Sequence, residues 1–354
     1  MRLGLLSLLL ALFVAGPWAS ARDYTLGDPL LWGGGFKPVG LGEDLWVGNG
    51  LNALLRVHGG ADQRPDEVAA DVRDIAVQGG VLWTLRWANG PRSFIVAERR
   101  DGRLIDLPPV RIPDDLGVGG LTFIEDRPAV LTERSLWLWT GAAWREVQLN
   151  SRLRMRMHTT VAVPHSGRFV YLADDHGQWG GGLQRVEIAT GRVLEIEGRG
   201  PLIDGCRFPL DKDCDAVTGL VSDPENPDCM LAAVGRLEWP VHGRLLRVCG
   251  DQLELVFSLI LDGDDPNEPL VGSSRPFFGL VVDAEGAVWT ASPGQLFRIK
   301  NGAATQQQIG ELRTLGSLHA NLDRPGLAVL ADTPYWREQG VHFLPMLAPV
   351  YPVP

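Results

Sequence analysis

Apolar residues along this chain come in strand-length runs that stop at Gly, Pro, Asn or Asp. Phe169-Val-Tyr-Leu-Ala follows Pro164-His-Ser-Gly, and Gly286-Ala-Val-Trp-Thr-Ala ends at Pro293-Gly294. Runs bounded by turn residues read as half-buried β-strands, while the helical period of about 3.6 residues is scarce. One stretch departs from this. Pro65–Ile75, PDEVAADVRDI, has the charge distribution and spacing of a short helix and is predicted as one.

The strand pattern repeats. Gly42-Glu-Asp-Leu-Trp-Val-Gly-Asn-Gly-Leu-Asn-Ala-Leu-Leu-Arg-Val runs turn, strand, turn, strand, and so does Asp283-Ala-Glu-Gly-Ala-Val-Trp-Thr-Ala-Ser-Pro-Gly-Gln-Leu-Phe-Arg-Ile. Similar units centre near residues 47, 82, 130, 170, 231, 288 and 329, spaced by 35, 48, 40, 61, 57 and 41. A propeller blade of four short strands takes about 40–50 residues. The two long spacings each contain an insertion, a cysteine loop at 201–215 and an acidic loop at 262–276. A four-stranded sheet cannot bury both faces alone, but sheets stacked radially can. The expectation is therefore an all-β protein, a β-propeller of six or seven blades with seven favoured. A pair of β-sandwiches is the alternative.

The unit at 283–299, D-x-x-G-x-x-W-x-A…G-x-L-F-R, resembles the propeller repeats of two-component-regulator sensor domains and of streptogramin-lyase-like proteins. Residues 42–57 share its W-x-G…L-x-R part, and the other five units match in outline. The resemblance implies a blade, with Gly in the tight turn, Trp packed between blades and Arg toward the rim. It does not imply a chemistry, because this architecture hosts many functions.

The first residues change the picture of where the ring works. Arg2 precedes the apolar run Leu3–Val14, Gly16-Pro17 break it, and Ala19-Ser20-Ala21 offers small residues for cleavage. This is the grammar of a secretory signal peptide, 1–21, with a single propeller domain over 22–354. The run falls short of the about 20 residues of a membrane span. An exported chain, periplasmic or secreted, and a monomeric ring without membrane span are expected. The formal net charge of −10 argues against nucleic acid and anionic membranes as partners. In an oxidising compartment four cysteines suggest two disulfides, for which three pairings exist. Cys229-Met-Leu-Ala-Ala-Val and Arg244-Leu-Leu-Arg-Val-Cys249 form a hairpin about Trp239 that sets Cys229 opposite Cys249. Cys206 and Cys214 then close a small loop. A zinc site is the rival, without C-x-x-C or paired His spacing to support it.

Four stretches carry candidate chemistry. Asp174-Asp175-His176-Gly-Gln-Trp179 is expected as a loop at one mouth of the ring, suited to a metal or polar ligand, or as a solvated Asx-turn. Arg152-Leu-Arg154-Met-Arg156-Met-His158 alternates cations with apolar residues, as a strand lining an anion site or as an outer strand whose cations meet acidic neighbours. Asp262-Gly-Asp264-Asp265-Pro-Asn267-Glu268 holds oxygen ligands for calcium, but Pro266 breaks the EF-hand order, and a mobile acidic loop reads better. Trp32-Gly-Gly-Gly-Phe36 lacks the Lys-Ser or Lys-Thr of a phosphate loop and reads as a strand that helps close the ring. There is no G-x-S-x-G.

The expectation for function is a non-catalytic, extracytoplasmic propeller that binds a ligand or partner protein through one face, near 152–158 and 174–179, with Trp179 as aromatic anchor. The alternative is a metal-dependent propeller hydrolase, lactonase or lyase. In it a divalent ion sits in the central channel on Asp175, His176, His158 and His319, with His242 a further partner. Convergence of those side chains separates the two.

Overall fold

The computed structural model describes residues 22–25, 36–41, 44–49, 52–58, 66–88, 93–113, 117–155, 158–203, 206–236, 241–260, 274–283, 285–308, 317–321, 326–331, 340–345 and 351–352. The leader 1–21, the stretch 32–35, Trp239, the acidic loop 261–273 and Arg156 lie outside them. So do the side chains of His158 and His319.

Seven antiparallel blades follow one another along the chain, the first two sharing one long strand. Blade one is Phe36–Leu41, Asp44–Asn49, Asn52–His58 and the first half of Asp66–Gln78. Blade two is the second half of that strand with Val81–Trp87, Ser93–Arg100 and Arg103–Asp106. Blade three is Val118–Ile124, Arg127–Thr132, Ser135–Trp139 and Trp144–Gln148, and blade four is His158–Ala162, Phe169–Asp175, Gly181–Glu187 and Val193–Ile196. Blade five is Val217–Ser222, Met230–Arg236, His242–Cys249 and Gln252–Phe257, and blade six is Phe278–Val282, Val288–Ser292, Gln295–Lys300 and Ala303–Gln308. Blade seven joins the chain ends: Ser317–Asn321, Gly326–Ala331 and Gly340–Pro345 take Arg22–Thr25 as their outer strand.

The first strand of each blade touches the first strand of the next, and that of blade seven touches Phe36–Leu41 of blade one, so the ring closes. The protein is a seven-bladed β-propeller. All seven unit centres read from the sequence fall on the second strand of a blade. The strand that closes the ring is Arg22–Thr25, while Phe36 opens the inner strand of blade one.

The core lies between blades. Trp46, Leu54, Val72, Ile75 and Leu82 pack between blades one and two, and Leu131, Leu138, Val161 and Leu172 between three and four. Tyr171, Leu183, Met230 and Leu246 fill the space between four and five, and Leu231, Phe277 and Phe297 that between five and six. Polar ties join the inner strands: Asp74 Oδ2 accepts from Leu121 N at 2.7 Å, Thr159 Oγ1 donates to Gly119 O at 2.7 Å, and Thr218 Oγ1 donates to Phe277 O at 2.6 Å.

Two sequence expectations are corrected. The predicted helix Pro65–Ile75 is part of the strand Asp66–Gln78, shared by two blades. Its register slips between Val72 and Asp74, so Val72 and Ile75, three positions apart, both reach the core. A bulge of this kind counterfeits helical spacing. The segment 152–155 is irregular rather than a strand, and the strand begins only at His158, as the inner strand of blade four. Leu153 is nevertheless buried and Met155 packs against the same core, as alternation predicts.

Candidate functional site

In an antiparallel four-stranded blade, the turn between the second and third strands and the connection to the next blade leave from the same side. That side is here termed the upper face. On blade four it carries the turn 176–180 and the long connection 197–216 to blade five. The segment 149–157 reaches blade four from blade three on the same side.

The turn is built from its own backbone. His176 N donates to Gly180 O at 2.8 Å, Trp179 N to His176 O at 3.1 Å, and Asp175 Oδ1 accepts from Gly177 N at 2.9 Å. Its far side is pinned to the long connection: Gly181 N donates to Lys212 O at 2.8 Å and Gly182 N to Asp215 O at 2.9 Å. Gly180 and Gly182 have φ of +79° and +84°, and a Cβ on Gly180 would lie 2.5 Å from Lys212 O. The glycine run is therefore a docking edge for the connection, with no room for side chains.

The connection is a hairpin. Gly198 N donates to Leu210 O, Gly200 N to Phe208 O, and Leu202–Ile203 pairs with Cys206–Arg207. The Cys206–Cys214 disulfide closes it, and Cys229–Cys249 links the second and third strands of blade five, as the sequence predicts. Met230 pairs with Val248, so the cysteines stand opposite one another. Two disulfides belong to an oxidising, extracytoplasmic compartment. No helix among the described residues is long and apolar enough to cross a membrane.

The hairpin is anchored on Asp215, whose side chain is wholly buried. Its Oδ1 lies 2.7 Å from His242 Nε2, its Oδ2 accepts from Asp211 N at 2.8 Å, and Arg244 Nη2 pairs with Oδ2. Arg244 also donates through Nε to Pro209 O and faces the Phe208 ring at 5.6 Å. Burial alone pushes the Asp215 carboxyl up. The Arg244 charge and the His242 hydrogen bond outweigh it and hold the group below its ordinary value. An ionised carboxylate only accepts, so His242 donates through Nε2. His242 and Arg244 are two positions apart on one strand and share a face.

Two of the four candidate stretches, 152–158 and 174–179, meet on the upper end of blade four. His158 is in register with Asp175 and Thr159 with Asp174. Arg154 N donates to Gln184 Oε1 at 2.9 Å. The cations are engaged with carboxylates: Arg152 Nε donates to Glu133 Oε2 at 2.8 Å, and Arg154 Nη2 to Glu195 Oε2 at 2.7 Å. Asp174 is buried, Asp175 and His176 are half-buried, and Trp179 is exposed. His319 lies on the inner strand of blade seven, three blades from blade four. Among the described residues no group of three His, Cys, Asp or Glu side chains stands where it would hold a metal ion.

Two of the large apolar side chains stand out. Trp179 is 63 % exposed and Leu202 64 %, the most exposed of their kind among the described residues. The others, Val68, Ile105 and Leu255, sit on outer strands. Trp179 was legible as an aromatic in a glycine-rich loop. Nothing in the sequence marks Leu202 or Arg244 as site residues, and the signal for Asp215, its place directly after Cys214, is local to the disulfide loop.

The resembling repeat has a physical basis in blade six. Asp283 accepts from Glu285 N at 3.0 Å, Ala287 N at 2.8 Å, Trp289 Nε1 at 2.9 Å and Arg298 Nε at 3.3 Å. Trp289 and Arg298 are cross-strand partners, as are Trp46 and Arg56 in blade one, where Arg56 bonds Asp44. Arg99 of blade two covers Trp46 at 4.6 Å, so this Trp does pack between blades.

No family model and no curated protein matches the chain. Solved structures of the same architecture do. The extracellular domain of the putative hybrid two component system BT4673 from B. thetaiotaomicron superposes with a TM-score of 0.56 at 12 % identity, over 91 % of this chain and 39 % of that one. A chain of the mitotic checkpoint complex gives 0.58 at 10 % identity, over 96 % and 99 %. Kuenenia stuttgartiensis hydrazine synthase gives 0.53 at 12 % identity, over 87 % and 95 %. The chain spans about two fifths of the BT4673 domain. At these identities the likeness is one of fold.

Proposed function

We propose that the protein is an extracytoplasmic recognition module that binds a partner protein through the upper face of blades four and five. The observation that carries this reading is the pairing of exposure with rigidity at Trp179 and Leu202. A large apolar side chain in water means little on a flexible loop. Here Trp179 stands on a turn closed by its own backbone hydrogen bonds and pinned to the disulfide-closed connection, and Leu202 on a short strand of that connection paired with Cys206–Arg207. Preordered aromatic and aliphatic anchors lose little freedom on binding, which is what makes a hot spot. Half-buried His176 and the Lys212–Glu197 pair, 2.8 Å apart, supply a polar rim. The similar BT4673 fold is the extracellular domain of a putative two component system, which is compatible with such a role without naming a partner.

The test is affinity isolation from the extracytoplasmic fraction of the exporting cell. A species retained by the wild-type chain is expected to be lost with Trp179→Asp/Leu202→Asp and kept with Leu255→Asp on an outer strand. Equal retention by all three would refute the assignment of this face.

A further inference from the structure

The outer strands of the seven blades differ in one respect. Six carry charged residues: Asp66, Glu67 and Asp71 in blade one, Arg103 and Asp106 in two, Arg145 and Glu146 in three, Glu195 in four, Glu254 in five, Arg22 and Asp23 in seven. Blade six has Ala303–Gln308, AATQQQ, with none. Charges on an edge strand keep other strands from adding to it. Blade six lacks this protection, and among the described residues it is the blade whose outer strand takes a further strand. Tyr351–Pro352, from the chain's own C-terminal segment, pairs antiparallel with Gln306 and Thr305.

That added strand is a poor one. It is two residues long against an edge of six, and Pro352 has no N–H to offer. From this we infer that the outer edge of blade six is a strand-accepting surface, held by the C-terminal segment and open to an extended, uncharged peptide of a partner protein that takes its place. A strand pairing along all of Ala303–Gln308 replaces two residue pairs by up to six and meets no charge on the edge. The backbone supplies affinity, and an edge of Ala, Thr and Gln offers a charged segment no counter-charge, so an uncharged strand suits it best. The segment thus acts as a cap that keeps the edge from indiscriminate pairing until a better strand arrives. This edge is separate from the upper face, so its failure leaves that reading untouched.

The test uses the full chain with Tyr351→Pro, which removes the remaining backbone donor of the added pair. Hydrogen exchange is expected to show loss of protection in 303–308, with 295–300 unchanged. The probe is a synthetic peptide of the chain's residues 346–354 carrying Pro352→Thr. Added to the variant, it is expected to restore protection in 303–308, and to do so less in the wild type, where the tail competes. Gln306→Lys in the same background is expected to abolish that restoration while leaving the urea midpoint in place. Unchanged exchange in Tyr351→Pro, peptide protection elsewhere, or indifference to Gln306→Lys would overturn the proposal. A mass of two chains for Tyr351→Pro would overturn the peptide partner and give the edge to a second copy.

Discussion

Two aspartates show how this ring holds its connections. Asp283 gathers its donors from its own turn and from the two strands that follow, all within 15 positions. Asp215 gathers His242 and Arg244 from 27 and 29 positions away, and its side chain is wholly buried where that of Asp283 keeps 10 % exposure. The first closes a blade upon itself. The second ties an insertion between blades to the next sheet. A repeat needs the first kind wherever a turn must be held, and so it leaves a motif. The second kind serves one connection, and it fixes the loop that holds the Trp179 turn.

The largest expected effect lies on the buried side of this comparison. Asp215→Asn removes one member of a buried ion cluster and leaves Arg244 uncompensated, which costs about 3–5 kcal/mol. Urea unfolding measures the loss, and hydrogen exchange is expected to place the loosening at 206–215 and 180–182. A loss no larger than that of Asp283→Asn would dissolve the distinction between the two. Next, replacing Cys229 and Cys249 by Ala opens a cross-link over 20 positions and costs about 3 kcal/mol on the chain-entropy account. A non-reducing peptide map showing free thiols at all four cysteines would remove this comparison and the compartment with it.

Asp283→Asn weakens bonds made on a partly exposed group and is expected to cost about 2 kcal/mol, without effect on blade five. Titration sharpens the contrast further. For both carboxyls burial acts upward, and the cations and N–H donors around them outweigh it, so both lie below the ordinary value of 3.8. A lowered carboxylate stabilises the fold above its unfolded value, and this is lost as pH falls through the lowered one. The urea midpoint is expected to decline from about pH 4 downward, and each Asn variant to flatten its own share. A midpoint that falls instead between neutrality and pH 5 would assign the acid sensitivity to other groups. Smallest of all is Trp179→Ala. An exposed side chain away from the core changes stability by no more than about 0.5 kcal/mol. A larger loss would make Trp179 a structural residue rather than an anchor.

Much of the ring was legible in the sequence, for the same reason that Asp283 was. Blades are local: the turn–strand–turn–strand grammar repeats within a few tens of residues, and the second strand of every blade could be placed from it. The cysteines followed from one hairpin and a short loop. The failures have physical causes. The bulge between Val72 and Asp74 set core residues three apart and imitated a helix. Arg152–Met155 alternates like a strand yet crosses between blades, because its cations meet Glu133 and Glu195 rather than a ladder partner. Arg244 and Leu202 carry no sequence signal and Asp215 only a local one, because their roles depend on where a hairpin insertion lands, and no periodicity encodes that.

On the proposed reading, recognition uses the upper face of blades four and five. Photo-cross-linking in the exporting cell tests it most directly, with the reactive residue placed singly at 179, 202, 105 and 255. Adducts to one and the same polypeptide are expected from 179 and 202, and none to it from 105 or 255 on the outer strands. Adducts to a partner from 105 or 255 with 179 and 202 silent would contradict it.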